Sequence, residues 1–208
     1  MLDRFFSPDN PMSRFLSRVW DLIVLNALFL VTSIPIFTIG ASLTAMSDLT
    51  LRTVRGEDEY LVRPYFRSFR KNFKRATLLW LPILAVALFL GADLYIIYNV
   101  IDKTWRFFQY PVWLLVFFLA CVFFFAFPIT ARYEESYLST VRNALLLGLG
   151  NLPVTIFFTV ILAVIVDVGL HNPTAGVVFF SLFLFIGCAA LSCLFSIFVN
   201  RIFDKAGQ

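Results

Sequence analysis

Three stretches of this chain carry no charge over a length that spans a lipid bilayer: Phe107 to Ala131, Asn143 to Val166, and Pro173 to Asn200. A helix needs about 20 apolar residues to cross a hydrocarbon core of roughly 30 Å. A fourth stretch, Thr77 to Ile101, meets the same length with one charge, Asp93. Backbone amides in lipid find no water, so each must be satisfied within its own segment, and such stretches form helices rather than strands. Pro82, Pro111, Pro128 and Pro153 fall near helix ends or invite kinks.

Composition excludes a water-soluble globule. Charged residues make up 14% of the 208 residues and hydrophobic ones 60%, with 26 Phe. A soluble domain carries about 25% charged residues to cover its surface. The net charge of +4 therefore points to cationic loops at a membrane face, not to nucleic acid. Cys121, Cys188 and Cys193 all lie in apolar stretches without metal-ligand or disulfide spacing.

Residues 22–47 are also uncharged, but Ile34-Pro35-Ile36-Phe37-Thr38-Ile39-Gly40 interrupts them. Proline removes an amide donor and disfavours helix in the residue before it, and glycine permits a turn. Two arrangements follow. One is a single kinked crossing, giving five spans. The other is a hairpin over residues 14–55, with a first helix ending at Ile34 and a return helix from Ala41 to about Arg55. Five spans divide the 17 Lys and Arg into 12 and 5 on the two faces, whereas the hairpin divides them into 15 and 2. The second split obeys the positive-inside rule far better. The expected fold is thus all-α, a polytopic transmembrane bundle of six helices. Its parts are the hairpin (14–55), a basic amphipathic cytoplasmic segment (56–76) and four transmembrane helices (77–200) within one membrane domain (1–208). The expected location is a bacterial plasma membrane, multi-pass, with both termini cytoplasmic.

The basic segment from Arg63 to Arg75 is the richest in functional signals. Phe66, Phe69 and Phe73 recur at helical spacing, with Arg67, Arg70, Lys71 and Lys74 largely on other sides. Such a helix can lie in the interface, its rings among acyl chains and its cations near anionic lipid. The simpler reading is an orientation anchor; the functional one is a docking platform for a partner protein. The acidic run Glu57-Asp58-Glu59 before it suits a helix N-terminus.

Within the hairpin, polar residues gather: Asn26, Thr32, Ser33, Thr38, Ser42, Thr44, Ser47 and Asp48. An ionisable group in a membrane segment is a functional-site hypothesis by default. Asn26 and Asp48 lie nine residues before Pro35 and eight after Gly40, which places both about 12–14 Å from the turn. Arg52 stands one turn from Asp48, acid before base, a spacing that suits a neutralising pair. Asn26, Asp48 and Arg52 form a candidate intramembrane polar site; hydrogen bonding that closes the hairpin is the simpler reading. Cys188, Ser192 and Ser196 make a small-residue seam on the last helix. Asp93 and Asp167 are expected near the outer ends of their helices, and the single His171 in a Pro-containing outer loop.

The chain lacks HExxH, GxSxG, a phosphate-binding glycine loop and any Cys/His constellation. With one histidine and no clustered carboxylates at depth, the usual acid–base groups are missing. We therefore expect no enzyme activity, no cofactor and no metal.

Asp21, Leu22 and Asn26, then Ile34-Pro35, Thr38-Ile39-Gly40-Ala41 and Ala45, then Phe66, Phe69, Lys71, Asn72, Phe73 and Lys74 together resemble the YesL-like family of bacterial membrane proteins. The resemblance implies a protein of Gram-positive bacteria often encoded beside carbohydrate importers and polysaccharide-degrading enzymes, hence a role tied to sugar uptake. It brings no catalytic residues. The Glu-Ala-Ala…Gly helix by which importer permeases dock their ATPase is absent, so an accessory subunit of a carbohydrate ABC importer is the expectation, with membrane lipid as the other partner. A small stand-alone transporter or channel is the alternative.

Overall fold

The computed structural model describes residues 11–57, 61–100, 103–171, 176–177 and 181–206. These residues form seven α-helices and no strand: α1 (Pro11–Ser33), α2 (Ile39–Val54), α3 (Val62–Asn99), α4 (Gln109–Arg132), α5 (Tyr137–Gly150), α6 (Leu152–His171) and α7 (Cys188–Ala206). A 3₁₀ turn, Ile36–Thr38, joins α1 to α2, and a π-helical turn, Phe183–Gly187, leads into α7. Five helical stretches are long and apolar enough to cross a membrane, in α1, α3, α4 (with the turn before it), α6 and α7. The chain is a polytopic helical membrane protein.

The hairpin break falls where Pro35 and Gly40 predict it. Pro35 is extended (φ −74°, ψ 117°), and its carbonyl accepts from the Thr38 amide and hydroxyl. The Trp80 indole closes the turn from outside, Nε1 donating to Ile36 O at 2.8 Å. At the other end of α2, Gly56 adopts φ +80°. Its amide donates to Thr53 O and the Glu57 amide to Arg52 O. That pairing is a Schellman motif, which satisfies the last carbonyls and turns the chain toward α3.

α2 is the centre of the bundle. Its 16 residues include ten that are buried, and it packs against α1, α3, α4 and α7. At about 24 Å it is short for a bilayer, and its neighbours enclose it. Its hydroxyls bond back to the preceding turn, Thr44 to Gly40 O and Thr50 to Met46 O, so polar side chains sit inside without orphaned donors. Gly40 lets α2 meet α3 closely, since a Cβ there would stand 2.5 Å from Ala76 O and Trp80 Cβ.

Two expected boundaries differ. The basic segment and the span after it, divided in the sequence reading at 76/77, are one helix of 38 residues, α3. Pro64 lies in its first turn, where proline is tolerated, and Pro82 does not interrupt it. The expected crossing from Asn143 to Val166 is two helices, broken at Asn151 (φ −125°, ψ 49°). Thr155 Oγ1 and the amides of Val154 and Thr155 satisfy carbonyls around that break. The described residues therefore form seven helices where six were expected.

Packing is concentrated at one half of the molecule. The hairpin turn meets Trp80, midway along α3, and α3 continues for about 28 Å beyond it. Past Trp80 only Ile83, Leu90 and Ile97 are buried on α3, and on α4 every buried residue lies from Cys121 onward. The rest shows large apolar side chains outward, Leu88 and Phe89 each 66% exposed. Hydrocarbon is as apolar as these side chains, so their exposure there costs little.

Candidate functional site

Helical geometry divides α3 into faces. Tyr65, Ser68, Asn72, Ala76, Leu79 and Ile83 are buried and recur every three or four residues along one side. Phe69 and Phe73 flank that side half-buried, with Phe69 against the hairpin cluster of Leu25, Phe29, Met46 and Leu49. Tyr65, Phe69 and Phe73 contact one another in sequence, with ring centroids 6.5 and 5.5 Å apart. Phe66 alone of the three Phe is exposed, at 41%. The rings thus serve largely to hold α3 against the hairpin.

Opposite the buried side run Arg63, Arg67, Arg70 and Lys74, all exposed. At i, i+4, i+7 and i+11 they fall within about 60° of one another around the helix. None of the four has an ion pair among the described residues. Lys71 stands to one side of this stripe, its Nζ 2.8 Å from Glu134 in the α4–α5 loop. Glu134 is held below the usual carboxylate range by the hydrogen bond and charge of Lys71 and then by the charge of Arg75. Its ionised form is thereby favoured in the folded chain. The contribution to folding is present above the ordinary carboxylate range and lost as pH falls through the lowered value. Because both partners are largely exposed, the pair adds little stability; its effect is to fix the loop beside the stripe. Lys71→Met should move the Glu134 midpoint upward toward the ordinary range, read by carbon NMR of the labelled carboxyl in micelles. An unmoved midpoint would mean that Lys71 does not set it.

Several charged groups collect with this stripe at one end of the bundle. Arg132 at the end of α4 faces Asp204 of α7 at 3.7 Å and lies over the rings of Tyr133 and Phe203. Asn200 of α7 donates to Leu51 O near the end of α2. The ends of α2, α4 and α7 and the basic half of α3 are thus neighbours.

The second candidate group, Asn26, Asp48 and Arg52, is divided between two sets of contacts. Asn26 is fully buried and reaches α7's entry turn, Nδ2 donating to Phe183 O (3.1 Å) and Leu184 O (2.6 Å) while Oδ1 accepts from the Ala189 amide (3.1 Å). Asp48 instead pairs with Arg52 one turn along α2, Nε to Oδ1 at 3.0 Å. The structure records no contact joining Asn26 to that pair. Sequence reasoning missed two residues of this interior. Tyr65 hydroxyl meets Thr32 Oγ1 at 2.7 Å, and Ser42 donates to the same oxygen at 2.9 Å. Thr50 bridges to Ser192 and Ser196, which puts the small-residue seam of α7 against α2. His171, expected in an outer loop, is instead the last residue of α6, and the acidic residues Asp58 and Glu59 lie outside the described residues.

Among the described residues no group of three His, Cys, Asp or Glu could hold a metal ion. No curated protein and no solved structure matches this chain. Residues 22–94, which take in most of the hairpin and nearly all of α3, are similar to a family described as proteins of unknown function, DUF624.

Proposed function

We propose that this is a non-enzymatic accessory or regulatory membrane protein that docks a partner through the cationic stripe of α3. The observation that carries the reading is the stripe itself: Arg63, Arg67, Arg70 and Lys74 stand exposed on one side of a helix whose other side is packed. A rigid helix continuous with a membrane span holds these charges at fixed spacing, so little ordering entropy is lost on binding. An acidic protein surface is the complement, and like-charged surfaces are rejected by the same stripe.

The YesL-like resemblance suggests the partner, a subunit of a carbohydrate ABC importer at the inner face of a bacterial plasma membrane. In this arrangement both termini and the stripe lie in the cytoplasm. The division of Lys and Arg between the two faces supports it. A stand-alone transporter would need polar groups left over to line a solute path. Asn26 is spent on the turn before α7, and Asp48 on Arg52.

The test is affinity purification of the full chain in mild detergent at low salt. Importer components should copurify, and reversing Arg63, Arg67, Arg70 and Lys74 to Glu should abolish their recovery while the protein still elutes as a folded species. Recovery of no transporter component under several detergent and salt conditions would overturn the proposal. Equal recovery with the reversed stripe would remove α3 as the docking surface.

A further inference from the structure

We infer that the cleft between the hairpin and helices α3, α4, α6 and α7 is a binding site for one acyl chain of a membrane phospholipid. The cleft encloses about 270 Å³. That is well above the ~150 Å³ of an apolar cavity that takes up benzene. Its walls include Leu43 of α2, Trp80 of α3, Phe124 of α4, Phe158 of α6 and Phe195 of α7. Five separate elements thus converge on one apolar space, which opens to the outside of the bundle.

Water is a poor occupant. A buried water needs two to four polar partners, and among the described residues the hydroxyl side chains lining the cleft are Ser47 and Ser192. Ser192 Oγ is already within 3.0 Å of Thr50 Oγ1. Collapse is opposed as well, because the walls are fixed from behind. The Trp80 indole is pinned by its bond to Ile36 O. Phe158 stands edge-on to Phe195 at 4.9 Å and beside Phe124 at 6.1 Å. Leaving the space empty would forfeit dispersion contacts along all of these rings. The medium around an apolar bundle supplies a slender, flexible hydrocarbon with no hydrogen-bonding demand. An acyl chain meets every one of these conditions. The π-helical turn adjoins the site, with Phe183 and Cys188 in its lining, and such turns recur at functional positions.

This site is separate from the cationic stripe and does not depend on the docking proposal. To test it, the full chain is reconstituted in vesicles of phosphatidylethanolamine and phosphatidylglycerol containing a phospholipid with a diazirine in mid-chain. After irradiation, adducts are mapped by mass spectrometry. Labelling should concentrate on the peptides holding Phe124, Phe158 and Phe195, several-fold above the outward-facing peptide around Phe89. Leu43→Trp, which fills the cleft from α2, should lower labelling there and leave the Phe89 peptide unchanged. Ser47→Phe provides the same test should the first variant fail to fold. Equal labelling of the cleft and Phe89 peptides, or cleft labelling that survives filling, would overturn the inference. Cleft-to-cleft crosslinks between two copies with lipid excluded would overturn it too.

Discussion

Asn26→Leu should lower the stability of the folded chain by about 3 kcal/mol. The side chain is fully buried and serves at once two carbonyls of α7's entry turn and one amide in the first turn of α7 itself. Leucine keeps the branched shape and the number of heavy atoms and removes all three bonds. Each buried polar group left unsatisfied costs about 1–3 kcal/mol. Single hydrogen bonds between membrane helices average only about 0.6 kcal/mol when measured by double-mutant cycles. Three converging on one residue lie between those limits. The loss should appear as a lower unfolding midpoint in detergent and as faster maleimide labelling of Cys188, which follows the π-helical turn directly. An unchanged midpoint together with unchanged labelling would show that the turn keeps its shape without the asparagine.

Gly40→Ala and Gly91→Ala should act in opposite directions. At Gly40 the new methyl would stand 2.5 Å from the Ala76 carbonyl oxygen and from Trp80 Cβ, with Ala76 C at 3.1 Å. Two of those three atoms are backbone, so no flexible side chain can swing aside. Overpacking costs about 1–3 kcal/mol in soluble cores, and this position should fall at the top of that range. The shift should also separate Trp80 from Ile36 O and loosen the hairpin turn. At Gly91, by contrast, nothing lies within 4 Å of the added carbon. Alanine there should stabilise α3 by about 0.5–1 kcal/mol through helix propensity alone. Thermal unfolding of the two variants in one detergent makes the comparison. Equal effects would show that α2 does not approach α3 as closely as the structure places it.

The elements legible in the sequence were those with local causes. Pro35 and Gly40 marked the hairpin turn, and long uncharged runs marked the spans. The break at Asn151 also had a local signal, Pro153 in the first turn of a helix, which the uncharged run concealed. The faces of α3 were harder. Phe66, Phe69 and Phe73 recur at helical spacing and invite assignment as one apolar face turned toward acyl chains. Phe69 and Phe73 only flank the packed face, where Tyr65, Leu79 and Ile83 alternate with small and polar residues that allow close approach. On α3 these are Ser68, Asn72 and Ala76. The partners of Asn26 were not legible at all. They lie more than 150 residues away on a turn whose π geometry has no sequence signature, and equal depth in a hairpin suggested Asp48 instead.

The unbroken course of α3 from the cations to Trp80 has a consequence for how the cationic stripe is aimed. Helical phase is carried without slack from one end of a continuous helix to the other, at about 100° for each residue. The azimuth of Arg63, Arg67, Arg70 and Lys74 is therefore tied to how the opposite side of the same helix seats on the hairpin, from Tyr65 through Ala76 to Trp80. Seating of the hairpin tip and bearing of the cations form one mechanical variable, so the stripe cannot rotate about the helix axis without first unseating the centre of the bundle.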